Sequence, residues 1–287
     1  NSNNWTPSGI SVTAGTTNDS LTDTPTDYGT DTGAGGEVRG NYCVLNPLST
    51  TAGTYSNGNL RYVGASAWRR SNATISVSTG KWYFETTIGN SPYTPRGSTT
   101  SYNAFGFGLS TVFNSTATTS ALTDAVILAD NGYYKNFSGS FTDGGTAFSS
   151  GDTLAIAVDL NANTFTFYRN NTQITTGTIG CTAGTQLVPI IVSYDGSYGV
   201  MDANFGQRPF AYTPPSGYKS LCTQNLTTPT VPNGANYFAA TTYTGNGSTQ
   251  SISNAVNGVI FQPDFAAIGG AFQVVHDVIE ASGEVPR

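Results

Sequence analysis

The sequence has 287 residues, enough for a sizeable core and one or two domains. Only 10% are charged, against about 25% in an ordinary soluble domain, and the net charge is -6. The 11 Lys and Arg are scattered, with Arg69-Arg70 the only adjacent pair, which argues against a nucleic-acid groove; no apolar run approaches the roughly 18 residues of a membrane span. No signal peptide is visible, and a start at Asn1 without Met reads as a processed or partial chain. Cys43, Cys181 and Cys222 are odd in number and far apart, with no CxxC or Cys/His spacing, so the expectation is three free, mostly buried thiols, no zinc site and no disulfide framework. Aromatics at 12%, with 34 Gly and loops crowded with Ser, Thr and Asn, fit an all-β sandwich.

Residues 1–40 read as an extended N-terminal arm. Asp23, Asp27 and Asp31 recur every four residues, but Pro25, Gly29 and Gly33 forbid a helix there. Oxygen ligands for calcium would fit these acids, yet the register of an EF-hand loop is absent. From 41 to 212 the chain is a dense series of strands: 60–63, 73–78 and "GKWYFETTIG" at 80–89. Residues 90–103 form a loop with two prolines and no periodicity. "AFGFGLST" at 104–111 interleaves aromatics with Gly106 and Gly108, which lets another backbone or a large ring approach closely. Asn131-Gly132 is a hairpin turn between 125–130 and 132–137. "GDTLAIAVDLNANTFTFYRNN", 151–171, is a second hairpin, with Leu154, Ile156 and Val158 alternating before the turn and Phe165 and Phe167 after it. "LVPIIVSY" at 187–194 is apolar throughout, as a strand buried on both faces would be, and 199–206 closes the series. Pro214-Pro215 opens an irregular linker, 213–236. A partial C-terminal β module follows over 237–287, ending in a short helix at 271–282, where Ala271, Val274, Val275, Val278 and Ile279 keep helical spacing.

The middle segment resembles the SPRY domain. Gly80-Lys81-Trp82-Tyr83-Phe84-Glu85, Phe105-Gly106-Phe107-Gly108-Leu109, Gly151-Asp152 with Ala157-Val158-Asp159-Leu160, and Thr164 to Asn170 follow that family's strand motifs in order. Pro189 and Asn204-Phe205-Gly206 fit its close. Asn171 stands where the family usually has glycine, a swap that Asn tolerates because it accepts positive φ. The resemblance implies an all-β, bent SPRY-like β-sandwich (jelly-roll) that binds rather than catalyses, through loops at one edge. The flanks, 3–48 and 205–226 with 243–265, resemble structural proteins of tailed-bacteriophage virions, of the tail-fibre kind.

These resemblances imply a non-enzymatic virion protein, assembled in the host cytoplasm, that attaches to a host cell-surface glycan or protein. Its partners would be other virion proteins and further copies of itself, with a trimer favoured; no cofactor, metal, nucleic acid or membrane insertion is expected. Sugar recognition favours exposed aromatic rings beside Asn, Asp and Arg. Tyr93, Arg96 and Tyr102 in the 90–103 loop, Tyr133 and Tyr134 near a hairpin, and Tyr194, Asp195 and Tyr198 in "YDGSYG" meet that description. The other readings are a purely structural capsid or tail decoration and a glycan-active jelly-roll enzyme. The enzyme would need two carboxylates about 5 to 9.5 Å apart. Among the four glutamates, Glu85 reads as a hydrogen-bonded or ion-paired acid of the core edge. Asp159 reads as a turn cap, and His276 has no Ser or Cys elbow near it.

Overall fold

A computed structural model describes residues 33–36, 40–64, 68–90, 103–113, 122–137, 139–145, 147–194, 200–227, 244, 246–248, 255–256 and 259–260. Most of the N-terminal arm, with its three aspartates, and the helix expected at 271–282 lie outside the described residues. The chain divides into two units, Asn1–Leu226 and Thr227–Arg287. The described strands of the second unit are β14 (Ala255–Val256) and β15 (Val259–Ile260), an antiparallel pair.

The first unit is a sandwich of two antiparallel sheets. One carries β1 (Thr54–Ser56), β2 (Arg61–Val63), β4 (Lys81–Asn90), β9 (Thr153–Asp159), β10 (Thr164–Arg169), β11 (Thr172–Thr178) and β13 (Val200–Asn204), in the order β1-β2-β13-β4-β9-β10-β11. The other carries β3 (Arg69–Asn72), β5 (Asn103–Leu109), β6 (Ala125–Ala129), β7 (Tyr133–Lys135), β8 (Thr142–Asp143) and β12 (Leu187–Ser193), in the order β3-β12-β5-β6-β7-β8. The SPRY-like motifs fall on β4, β5, β9, β10, β12 and β13.

Alternation along the strands decides what each sheet buries. On β4, Phe84 and Ile88 point into the sandwich, with Leu154, Ile156 and Val158 of β9 and Phe165 and Phe167 of β10. Phe84 packs against Phe105, Phe107 and Phe205 at ring distances of 5.8, 5.5 and 5.2 Å. Burying each such ring contributes about 1.5–3 kcal/mol. β12 is buried at all seven positions because it lies inside a sheet covered on both faces. Gly106 and Gly108 do admit close neighbours. A Cβ on Gly106 would lie 1.9 Å from the Val126 carbonyl oxygen, and one on Gly108 2.6 Å from the guanidinium of Arg70. The group at Gly108 is thus a buried cation rather than a ring. Arg70 is 1% exposed; its guanidinium donates to Asn72 Oδ1, the Leu109 carbonyl and the Asp124 carboxylate.

The turns follow the residues. Asp159 Oδ1 accepts the N–H groups of Asn161 and Ala162 at 3.1 and 2.9 Å, capping the β9–β10 turn. Asn170 and Asn171 both take positive φ, 47° and 67°, in the tight β10–β11 turn. The cysteines are free; Cys43 and Cys222 are buried, and burial pushes the Cys43 thiol up to about 11, so it stays protonated at neutral pH.

The segment 213–226, expected as the first half of a linker, runs against the sandwich instead. Tyr83 N–H donates to Lys219, Lys219 N–H to Lys81, and Cys43 N–H to Leu221, all to backbone carbonyls. Leu221 and Cys222 are fully buried. It pairs through isolated bridges, Trp82↔Lys219 and Tyr42↔Cys222, rather than as a strand. A period of two residues therefore never develops in its sequence.

Candidate functional site

The strand registers bring the connections predicted to bind to one end of the sandwich. In the seven-stranded sheet, Val63 of β2 pairs with Val200 of β13, which pairs with Asn90 of β4. In the six-stranded sheet, Arg69 of β3 pairs with Ser193 of β12, which pairs with Asn103 of β5. Three crossovers between the sheets therefore spring from neighbouring feet: 64–68, 91–102 and 194–199. A fourth, 144–152, joins β8 to β9. The β6–β7 and β10–β11 turns complete this end.

Polar side chains fasten the feet. Asp130 Oδ2 accepts both the backbone N–H and the side-chain amide of Asn103, at 3.1 and 3.2 Å, where the 91–102 crossover enters β5. Asp130 and Asn103 are both buried. The Gly64 N–H donates to Ser193 Oγ at 3.1 Å, and a Cβ on Gly64 would lie 2.7 Å from the Ser193 carbonyl oxygen, so only glycine lets β2 leave so close to β12. The fourth crossover is tied by Phe148 N–H to the Asp130 carbonyl and Gly151 N–H to that of Ile88. Trp68 ends one crossover and Tyr194 begins another, with ring centroids 4.5 Å apart.

The sequence-predicted residues belong to these connections and to β7. Tyr93, Arg96 and Tyr102 belong to the 91–102 crossover, and Asp195 and Tyr198 to 194–199; these five lie outside the described residues. Tyr194 is half-buried against Trp68. Tyr133 and Tyr134 point to opposite faces, as successive strand residues must. Tyr133 meets Phe141 edge-on at 6.3 Å on the outer face. Tyr134 packs inward against Phe165 at 5.8 Å, so its ring serves the core. Sequence reasoning passed over Trp68, Asn103 and Asp130. Trp68 carried a signal, an aromatic residue just before Arg69-Arg70; Asn103 and Asp130 become partners only through the β5–β6 register.

Beside the crossovers lies an open concavity of about 420 Å³ between Gly144, Gly145, the β10–β11 turn and Ile174. Its charges are committed to the frame. Arg169 pairs with Asp152 at 2.8 Å and stacks over Phe148 at 5.7 Å. Burial alone would raise the Asp152 carboxyl, but the Ser149 N–H, the Asn170 amide and Arg169 together hold it below its ordinary value.

No protein-family model and no curated protein sequence matches the chain. Among solved structures it is similar to the SPRY domain of human HERC1, at 17% identity and a TM-score of 0.47 over 55% of this chain and 96% of that one. It is similar to the PSpry domain of TRIM65 at 13% identity and a TM-score of 0.45, over 57% and 90% of the two chains. A further likeness is to a human SPRY domain, at 14% identity and a TM-score of 0.41, over 54% and 95%.

The acid weighed for catalysis sits elsewhere. Glu85 is 2% exposed on the outer face of the seven-stranded sheet. Its Oε2 accepts the Ala211 N–H at 2.8 Å, and its Oε1 the Tyr212 N–H at 3.0 Å and the Tyr83 hydroxyl at 2.9 Å. Burial raises its pKa, and these donors partly offset the rise. Both oxygens are occupied in fastening the exit of the chain, and neither faces an open cleft.

Proposed function

We propose that this chain is a non-enzymatic virion protein of a tailed bacteriophage, a tail-fibre or receptor-binding component whose crossover loops recognise a host cell-surface glycan or protein. The observation that carries the reading is the shared footing of the 91–102 and 194–199 crossovers, whose strand ends Asn90, Asn103, Ser193 and Val200 stand at one end of a rigid frame; the sequence between those ends carries Tyr93, Arg96, Tyr102, Tyr194, Asp195 and Tyr198. Rings with Arg, Asp and neutral polar neighbours suit sugar faces and hydroxyls, and loops on a rigid scaffold are where binding residues concentrate. The phage-like flanks supply the virion context and would dock onto other virion proteins. Several copies on one particle make weak contacts strong through avidity, without turnover.

The test is binding of the fluorescently labelled chain to bacterial cells and to an array of purified bacterial surface polysaccharides. Binding that falls about tenfold or more in Tyr102→Ala and Tyr198→Ala, the loss expected of truncated aromatic anchors, supports the reading. Binding indifferent to both substitutions, or absent from every cell and polysaccharide offered, overturns it in favour of a decoration role.

A further inference from the structure

We propose that the free edge of β11 is a self-association surface, on which a second copy of this chain pairs antiparallel about a two-fold axis. The four sheet edges differ sharply. β1 is three residues long and β8 two. β3 is covered on its outer side by residues 44–49: Asn46 N–H donates to the Asn72 carbonyl, Thr74 N–H to that of Val44, and Asn72 N–H to Ser49 Oγ. β11 has seven residues, Thr172–Thr178, and ends the order of its sheet. Among the described residues, Gly144 stands beside Ile174, and hydrogen bonds reach the outer side only at the C-terminal end, where Asn136 donates to the Thr178 carbonyl and Phe137 N–H to that of Ile179.

Natural edges are guarded by charges, proline, bulges or shortness, because an unpaired row of N–H and C=O groups invites another strand. "TQITTGT" has neither a charge nor a proline. Its one guard is a bulge that leaves Ile174 without an opposing residue, since Phe167 pairs with Thr175 and Tyr168 with Gln173. Beyond it, Thr175–Thr178 runs in regular register.

The occupant follows from the charge. The chain carries a net charge of -6, yet this stretch carries none, so an identical stretch meets it without like-charge repulsion. Antiparallel pairing of identical edges is isologous and closes at two copies. It sets threonine against threonine, a favourable cross-strand pair, and joins the two seven-stranded sheets into one. The inference is independent of the ligand reading above and predicts an even-numbered assembly rather than the trimer expected from the fibre resemblance.

The test is sedimentation equilibrium of the full chain and of three variants at the exposed Thr176. The expected result is a dimer for the native chain and for Thr176→Val, and dissociation at least about tenfold weaker in affinity for Thr176→Lys and for Thr176→Glu alone, because each sets like charges together near the axis. An equimolar mixture of the Lys and Glu variants recovers the dimer. All four chains should give the same circular dichroism spectrum. A native chain that stays monomeric up to its solubility limit overturns the inference. So does an oligomer of any size whose affinity ignores the charge at position 176.

Discussion

At one end of the sandwich the sheets exchange the chain through crossovers at 64–68, 91–102, 144–152 and 194–199. At the other, the chain crosses at 73–80 and 179–186, β9 returns to β10 through residues 160–163 and β5 to β6 through 110–124, and charged side chains hold the last two connections. Asp159 caps the β9–β10 turn and meets Lys81 at 3.4 Å. Arg70 reaches across Gly108 to Leu109 and Asp124, and Asn72 holds the Val112 carbonyl at 2.9 Å. At the end with four crossovers, Asp130 and Asp152 tie the feet and the neighbouring turn. The same pair of sheets thus supports two economies of charge, one that closes the frame and one that steadies the bases of long loops. Substitutions at the first should cost stability, and substitutions in the loops should cost binding.

The largest effect is expected from Asp124→Asn. It leaves the guanidinium of Arg70, 1% exposed, without its counter-charge. Removing one partner of a buried pair costs about 3–5 kcal/mol. Urea unfolding should show that loss, and Arg70→Met combined with Asp124→Leu should recover most of it. A single variant as stable as the native chain would mean that the pair does not close this end.

Next comes the strap formed by the exit segment. Glu85→Leu removes the acceptor of two backbone N–H groups and the Tyr83 hydroxyl. The expected cost is on the order of 3 kcal/mol, since each buried donor left unpaired costs about 1–3. Amide exchange at Ala211 and Tyr212 should accelerate well before exchange in β5 or β12.

The carboxylates also separate the regions by pH. Asp152 is held below its ordinary value of 3.8, so its folded form gives up its proton more readily than the unfolded chain does. Its contribution is fully present above that value and is lost as pH falls through the lower folded value. Glu85 is raised above 4.5, so the folded chain holds its proton longer, and its contribution declines as pH rises from 4.5 through the folded value. Carbon-detected titration of the two carboxyl groups should place their midpoints on opposite sides of the ordinary range. Acid should therefore loosen the β10–β11 turn and spare the strap.

The sandwich was legible because its strands obey a period of two over several residues. Phe165 and Phe167 opposite Leu154, Ile156 and Val158 could be paired from the residues alone. The Asp159 cap and the Asn131-Gly132 turn were equally readable, because each acts within a few residues of itself. The strap was not: its contacts with β4 and Tyr42 are single bridges that leave no repeat. Nor were Arg70 and Asp130. A buried cation over a glycine, or an acid serving a backbone N–H 27 positions away, exists only once the register is set. Of the candidate site, the sequence marked the loops by their length and their aromatic residues. That two of those loops share their feet is a property of strand order, which no local pattern encodes.

The smallest stability effect is expected within the crossovers themselves. If the spans act in binding and not in the frame, Tyr102→Ala and Tyr198→Ala change the free energy of unfolding by no more than about 0.5 kcal/mol, the range of surface substitutions. Asn103→Ala is the control. It stands one residue from Tyr102 but gives up a side-chain donor to Asp130 in a buried setting, which should cost about 1–3 kcal/mol. The 102/103 pair therefore cuts at the boundary between loop and foot. If Tyr102→Ala destabilises as much as Asn103→Ala, the 91–102 crossover is part of the frame and the contrast between span and foot fails at its most critical point. If only Asn103→Ala moves the unfolding transition while Tyr102→Ala moves only binding, the boundary falls where the Asp130 carboxylate meets the first residue of β5.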